Sequence, residues 1–161
     1  MESSKVHLSD GTEDRRPRTP WESFLLAYAA MVPILVGAVA CLLLRGGEAL
    51  VAEHLTVVWS GAVLCFLAGV RRGLSFRQEG GPLVSQLGVM LWLFVLGVGS
   101  LVSPFVVVSV GLQMVGYATM GLLDPGAARA GEVPLYFRRL RPVQMLVPIA
   151  GLAVVLGRVL G

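Results

Sequence analysis

The longest uncharged stretch of the chain, from Gly80 to Leu123, limits its fold more than any other feature. It holds 44 residues without a Lys, Arg, Asp or Glu. One helix of that length would be roughly 66 Å long at about 1.5 Å per residue, about twice the thickness of a bilayer core. The stretch must therefore fold back on itself. The Ser103-Pro104 step is the natural turn, since proline disfavours helix at the residue before it and starts helices well.

The composition indicates a membrane protein rather than a soluble domain. Hydrophobic residues make up 55% of the chain, charged residues only 14%, and the mean hydropathy is +0.77. Soluble domains carry about 25% charged residues. Because the apolar stretches are long and do not alternate with polar residues, the strands of a transmembrane β-barrel are excluded. The sequence predicts an all-α integral membrane protein.

Apolar stretches of about 20 residues divide the chain into a polar tail and five transmembrane helices. Residues 1–20 are predicted to be a disordered cytoplasmic tail, and residues 21–161 a five-helix transmembrane domain. The predicted spans cover residues 23–44, 53–72, 83–102, 104–123 and 142–159.

Proline and glycine mark the predicted irregularities and ends of these spans. Pro33 predicts a kink in the first span, which frees the carbonyl of Ala29 for a neighbouring helix. Residues 45–48 (Arg-Gly-Gly-Glu) are predicted to form the turn to the second span. Asp124-Pro-Gly is predicted to end the fourth span, and a basic loop from Ala127 to Arg141 follows it.

The second span has an uncharged core of only 16 residues, Leu55 to Val70. At 1.5 Å per residue this core covers about 24 Å, less than the roughly 30 Å of a bilayer interior. Arginine side chains extend to the membrane interface more readily than carboxylates do. We therefore expect Arg71 and Arg72 to lie partly within the membrane boundary.

The basic residues predict the orientation of the chain. With five spans and the N-terminus inside, 11 of the 13 Lys and Arg residues lie on the inner side. Only Arg45 and Arg158 fall outside, which satisfies the positive-inside rule. We therefore expect an N-in/C-out, multi-pass protein of the cytoplasmic (inner) membrane with a cytoplasmic N-terminus. A mitochondrial inner membrane is the alternative.

Small residues recur at every fourth position of the second span, at Gly61, Cys65, Gly69 and Gly73. This helix-packing ridge has the small-xxx-small pattern that lets helix backbones approach closely in lipid. We interpret it as a surface for packing within the chain, with a contact between two copies as the alternative.

Charged residues at the predicted inner face form a second candidate site. The members of this inner-face charge cluster are Arg71, Arg72, Asp124, Arg138, Arg139 and Arg141. A carboxylate that faces several guanidinium groups at a membrane boundary is expected to be paired. The cluster is interpreted as a structural ion pair or, alternatively, as a site for an anionic lipid headgroup or an acidic partner.

Gln113 is predicted to lie near the centre of the fourth span, where an amide needs a hydrogen-bond partner. We interpret it as a contact between helices, with the lining of a solute path as the alternative. No acidic residue or histidine is predicted at mid-depth. A proton relay or a cation-coupled transporter would therefore lack its usual residues.

The sequence contains no pattern typical of catalysis or cofactor binding. His7 and His54 are expected on opposite sides of the membrane, so one chain does not offer two axial ligands to a haem. Metal-ligand spacing, a phosphate-binding loop and a nucleophile–base pair are not evident. We therefore expect no enzyme activity, no cofactor and no metal. Nucleic-acid binding is not expected either, because the arginines lie beside apolar stretches as membrane topology requires.

Three segments resemble a known family of membrane proteins. They are Ala29-Ala-Met-Val-Pro33, Phe66-Leu-Ala-Gly-Val-Arg-Arg-Gly-Leu74, and Asp124 together with Pro134-Leu-Tyr-Phe-Arg-Arg-Leu-Arg141. The chain is similar in these segments to the small bacterial and mitochondrial membrane proteins known as domain of unknown function 3429, which include transmembrane protein 69. The family pattern has Trp where Arg72 stands, and Pro-x-Trp-Tyr-x-x-Leu-Arg in the last segment. The resemblance implies a five-helix membrane fold and no assigned activity or catalytic residue.

Three functions are compatible with these patterns. The first is a non-enzymatic accessory or assembly subunit that docks to a larger membrane protein complex through helix packing and a basic cytoplasmic face. The second is a channel or transporter for a small solute. The third is a membrane protein that binds anionic lipids at its inner arginines. The lipid bilayer is the expected surrounding in each case, and the oligomeric state is left open.

Overall fold

The computed structural model describes residues 25, 28–76, 84–129 and 137–161, with the side chains of residues 128–129 and 137–139 left out. The described residues form helices and turns and contain no strand. The helices are α1 (Val32–Leu43), α2 (Gly46–Ser75), α3 (Val84–Val102), α4 (Val106–Arg129) and α5 (Phe137–Leu160). The prediction of an all-helical protein is confirmed.

Four helices are long and apolar enough to cross a membrane. Their apolar segments are Gly46–Ser75, Val84–Val102, Val106–Ala127 and Leu140–Leu160. Helix α1 is apolar too, but its 12 residues span only about 18 Å at 1.5 Å per residue. Large apolar side chains cover the outside of the bundle: Leu43 is 75% exposed and Leu122 is 78% exposed. Such an exterior suits lipid chains better than water, as expected for a multi-pass membrane protein.

Helices that are neighbours in the chain pack side by side. Helix α1 also contacts α5, which closes the bundle into a ring, and α2 contacts α4 across its middle. Successive helices run in opposite directions, so their ends collect at two ends of the bundle. We call these the Asp124 end, which includes Ser75 and Val84, and the Ser103 end, which includes Leu44 and Val106.

Glycines lie where the helices approach most closely. A Cβ atom on Gly97 of α3 would lie 2.5 Å from Sγ of Cys65 on α2, and one on Gly116 of α4 would lie 2.5 Å from Cδ2 of Leu64. A Cβ atom on Gly97 would also lie 3.2 Å from the main-chain nitrogen of Cys65, so a larger residue there would push α2 away. A larger residue at Gly116 would instead displace the Leu64 side chain. Most of the core between the helices is apolar. Its largest fully buried side chains include Met31, Ile34, Leu64, Leu93, Tyr117, Met120, Met145 and Leu152.

The first predicted span is interrupted just before Pro33. Residues 30–31 form a turn, and α1 begins at Val32 with Pro33 in its first turn, where a missing N–H is tolerated. The carbonyl that a neighbouring helix takes up is that of Ala30, not that of Ala29. Trp59 of α2 donates its indole Nε1–H to this oxygen at 2.9 Å.

The prediction that residues 45–48 form a turn is wrong, because α2 already begins at Gly46. Gly46 has a φ of +61°, which a glycine adopts without strain, so the chain changes direction there and enters the helix at once. Glu48 then lies in the first helical turn, where a carboxylate interacts favourably with the helix dipole. Only Leu44 and Arg45 separate α1 from α2.

The prediction that Asp124-Pro-Gly ends the fourth helix is also wrong. Helix α4 continues through Pro125 to Arg129, since the proline lacks only one N–H and packing against α5 holds the helix together. Helix α5 begins at Phe137, five residues before Pro142. The predicted basic loop is therefore helical at both of its ends, and residues 130–136 between them lie outside the described part of the chain.

Candidate functional site: the buried charge cluster

Three charged residues from three helices meet at the Asp124 end of the bundle. Nη1 of Arg71 on α2 lies 2.9 Å from Oδ1 of Asp124 on α4. Nε of Arg141 on α5 lies 3.4 Å from Oδ2 of the same carboxylate. The structure thus brings together three of the six predicted members of the inner-face charge cluster.

All three side chains are withdrawn from the surface. Asp124 is 1% exposed, Arg141 is 5% exposed and Arg71 is 8% exposed. Burying a single ion costs several kcal/mol after relaxation, and an oppositely charged neighbour offsets that cost. Asp124 serves both arginines, because each approaches a different oxygen of its carboxylate. Its removal would leave two buried cations close to each other.

The three charged side chains are brought together by helices that extend beyond their apolar segments, not by a loop. The uncharged core of α2 ends at Val70, but the helix continues through Arg71 to Ser75. Helix α4 continues past Asp124, and α5 begins before Arg141. All three side chains are therefore held on rigid helices, which fixes their spacing.

The remaining predicted members of the cluster are not at this ion pair as far as the structure describes them. The guanidinium carbon of Arg72 lies 4.2 Å from the centroid of the Phe76 ring, one turn further along α2. This is a cation–π contact, worth about 0.5–1 kcal/mol at exposed sites. Arg138 and Arg139 lie in the first turn of α5, and their side chains are outside the described part.

Gln113 lies in the middle of the bundle and contacts two other helices. Its Nε2 donates to the carbonyl oxygen of Val57 on α2 at 2.8 Å and to Oγ of Ser100 on α3 at 3.0 Å. The side chain is fully buried, and its Oε1 has no hydrogen-bond partner among the described residues. The amide thereby links α2, α3 and α4.

A second polar contact between α2 and α4 lies one turn from Gln113. It was not among the contacts predicted from the sequence. The Tyr117 hydroxyl donates to the main-chain oxygen of Ser60 at 2.7 Å, and Oγ of Ser60 lies 3.3 Å from that hydroxyl. A signal for it is present in the sequence. Gln113, Tyr117 and Asp124 follow at steps of four and seven, so they share one face of α4.

The helix-packing ridge divides into two halves. A Cβ atom on Gly61 would lie 2.8 Å from Cδ2 of Leu101 on α3, and Cys65 packs against Gly97 of the same helix. A Cβ atom on Gly69 or Gly73 would meet no atom of the described residues within 4 Å. The half near the Ser103 end therefore packs on α3, whereas no described residue covers the half near the Asp124 end.

Two cavities with polar walls lie between α2, α3 and α4. One, of about 280 Å³, is at the Asp124 end and is lined by Arg71, Ser85 and Gln86 on its polar side. The other, of about 170 Å³, is at the Ser103 end. Its polar lining consists of His54, Ser100, Ser103 and Ser109.

The described residues contain no group of three or more His, Cys, Asp or Glu side chains that would hold a metal ion. Comparison of the chain with known protein families, with curated proteins and with solved structures finds no match. Function must therefore be argued from the geometry.

Proposed function

We propose that this chain is a five-span accessory or assembly subunit of the cytoplasmic (inner) membrane, with its N-terminus in the cytoplasm and its C-terminus outside. It has no enzymatic role in this proposal and acts through helix packing and a basic cytoplasmic face. Four helices of membrane-spanning length support the topology, and α1 with the helical residues before it supplies the fifth span. The resemblance to domain of unknown function 3429 agrees with five helices and is part of the same proposal.

The half of the helix-packing ridge near the Asp124 end is the observation that carries the docking role. Gly61 and Cys65 show that this face of α2 accepts another helix at close range, because α3 packs there. Gly69 and Gly73 continue the same face, and a Cβ atom on either would have no neighbour within 4 Å in the described part of the chain. A transmembrane helix of a partner protein would fit there, since small residues permit close backbone contact in lipid.

The interior polar groups support a structural role for the core. Asp124 is engaged by two arginines, and Gln113 and Tyr117 donate to main-chain oxygens of α2. These contacts hold the helices together. The surface is therefore the part of the molecule left for interaction with a partner.

Site-specific photocrosslinking in native membranes tests the docking role. A photoreactive residue at Gly73 is expected to give one discrete heteromeric adduct of constant mass. The same residue at Leu122, which is 78% exposed on α4, is expected to react with lipid only. Adducts between two copies would indicate a homodimer instead. A chain that purifies alone and monodisperse, without an adduct at Gly73, would refute the proposal.

Cysteine labelling tests the proposed orientation. Glu48 and Phe76 are exposed at opposite ends of α2. With N-in/C-out topology, Glu48→Cys reacts with a membrane-impermeant maleimide in intact cells, whereas Phe76→Cys reacts only after permeabilisation. The opposite pattern would reverse the orientation.

The polar cavity at the Ser103 end favours a channel or transporter as the second candidate function. Ser100 lines this cavity and accepts a hydrogen bond from Gln113, so a polar route leads from the cavity toward the centre of the bundle. This candidate requires solute flux into proteoliposomes that Gln113→Leu abolishes. Flux that the substitution leaves unchanged would exclude this role for Gln113.

A further inference from the structure

The cavity at the Asp124 end has a built polar wall. It lies where the last turns of α2 and α4 meet the first turn of α3, and its volume is about 280 Å³. That volume is many times the roughly 10–15 Å³ that one water molecule needs on the same measure. A small anionic group with part of its hydration shell fits a space of this size.

The guanidinium group of Arg71 supplies this wall with a positive charge and with N–H donors that Asp124 does not use. Its side chain is more than nine-tenths buried, yet it lines the cavity. Its one polar contact among the described residues joins Nη1 to Asp124. A guanidinium group carries five N–H donors in a planar fork, and that fork matches the oxygens of a phosphate group. The rest of the fork is therefore available to an anion in the cavity.

The beginning of α3 adds to the positive potential of the same wall. Ser85 and Gln86 line the cavity and lie in the first turn of this 19-residue helix. The N-terminal end of a helix carries a partial positive charge and presents backbone N–H groups, so it favours anions. Two independent elements, a buried guanidinium group and a helix N-terminus, thus face one space.

The rest of the cavity lining is apolar. It consists of Val89, Leu123 and Ala127 together with Gly126, where a Cβ atom would meet no described residue within 4 Å. A pocket with one cationic and one apolar wall suits a charged headgroup joined to hydrocarbon. We propose that this cavity binds a phosphate group, carried by an anionic lipid or present as free phosphate. The proposal is independent of any protein partner.

Ligand titration of the full chain in neutral detergent tests this site. The probes are phosphatidylglycerol, phosphatidylcholine and inorganic phosphate, and bound ligand is measured by native mass spectrometry. Saturable binding of phosphatidylglycerol at least tenfold tighter than that of phosphatidylcholine is expected. If inorganic phosphate binds as tightly as phosphatidylglycerol, the ligand is the free anion. If phosphate binds at least tenfold more weakly, the ligand is the lipid.

Gly126→Leu is the decisive variant, because it adds a bulky apolar side chain at the cavity lining without changing any charge. It is expected to weaken binding at least tenfold, while the Arg71–Asp124 ion pair stays intact. Gly111→Leu is its matched control: Gly111 lies on the same helix, also has no neighbour within 4 Å and does not line the cavity. The control is expected to bind as the unmodified chain does.

A pair of arginine variants separates this cavity from general attraction of anions to a basic surface. Arg71→Gln is expected to abolish binding, and Arg72→Gln, which changes an arginine outside the cavity lining, is expected to reduce it less than threefold. If Arg71→Gln fails to fold, Gly126→Leu still decides the matter. The proposal is overturned if no probe binds saturably, if Gly126→Leu binds like the unmodified chain, or if Arg72→Gln lowers affinity as much as Gly126→Leu does.

Discussion

The indole N–H of Trp59 on α2 donates to the carbonyl oxygen of Ala30, 2.9 Å away in the turn before α1. This oxygen lacks its usual helical donor, because the amide of Ile34 bonds to Met31 instead. The Trp59 ring is 45% exposed on the lipid-facing side of the bundle. A single side chain thus covers apolar surface and supplies the hydrogen bond that the break before Pro33 requires.

Trp59→Phe keeps an aromatic, though smaller, side chain but removes this donor. We expect the variant to lower the free energy of unfolding by about 0.6–1.7 kcal/mol, the range of hydrogen bonds between membrane helices. Trp92→Phe is the control, since its indole reaches only a hydroxyl, Oγ1 of Thr119, at 3.5 Å. Unfolding in mixed detergent micelles measures both values. Equal losses for the two variants would show that the ring, not its N–H, matters at Trp59.

Asp124→Asn removes the carboxylate charge that the buried guanidinium groups of Arg71 and Arg141 both approach. We expect it to lower the free energy of unfolding by about 3–5 kcal/mol, as when one partner of a buried ion pair is removed. Exposed Glu48→Gln serves as the control and is expected to change stability by less than about 0.5 kcal/mol.

Replacing all three charged residues by apolar ones tests whether their role is structural. Arg71→Met, Asp124→Leu and Arg141→Met together fill the same space without charge. Such replacements are often neutral or stabilising by about 1–4 kcal/mol. We expect the triple variant to be more stable than Asp124→Asn alone in the same unfolding assay. A triple variant as unstable as the single one would mean that the charges contribute more than their mutual pairing.

Gly97→Ala tests the closest contact between α2 and α3. Its Cβ atom would lie 2.5 Å from Sγ of Cys65 and 3.2 Å from its main-chain nitrogen, so the helices must separate. We expect a loss of about 1–3 kcal/mol, as for overpacked cores. Gly88→Ala on the same helix meets no atom within 4 Å and is expected to be neutral or stabilising by up to about 1 kcal/mol. Similar effects of the two would contradict close packing at Gly97.

Tyr117→Phe tests the polar contact between α2 and α4. The hydroxyl is fully buried and donates to the main-chain oxygen of Ser60, so its loss is expected to cost about 0.6–1.7 kcal/mol. Ser60→Ala should cost less in the Tyr117→Phe background than in the unmodified chain, because the Ser60 hydroxyl has then already lost its contact. A double-mutant cycle measures this difference. A coupling energy of zero would show that the two hydroxyls act independently.

The sequence alone predicts an all-helical fold and a change of chain direction at Ser103-Pro104, because both depend on the length of uncharged stretches. Helix α3 ends at Val102 and α4 begins at Val106, as that argument requires. The boundaries near charges were harder to predict. Proline and glycine at 125–126 look like a helix end, but neighbouring helices hold α4 together through Pro125, and such packing is not visible in a single stretch of sequence.

The three residues that meet at the candidate site were all among the predicted ones, but the sequence did not predict which arginines contact Asp124. Charge placement brought Arg71, Asp124 and Arg141 to one side, since all three follow or precede apolar stretches. Which arginines contact the carboxylate depends on the rotation of α2 and α5 about their own axes. The side chains of adjacent residues point in directions about 100° apart around a helix axis. Arg71 therefore reaches Asp124, while Arg72 lies over Phe76.

The shared carboxylate of Asp124 has a consequence for the order in which the chain is made. Its partner Arg71 is synthesised before it, whereas Arg141 and α5, which closes the ring against α1, follow it in the chain. Until α5 packs against the other helices, Asp124 has one of these two cations, and Ile34 of α1 lacks the cover of Gly151. A chain that stops before α5 thus displays both defects at once, whereas a chain that includes α5 displays neither. Synthesis of α5 is therefore the step that removes both defects together.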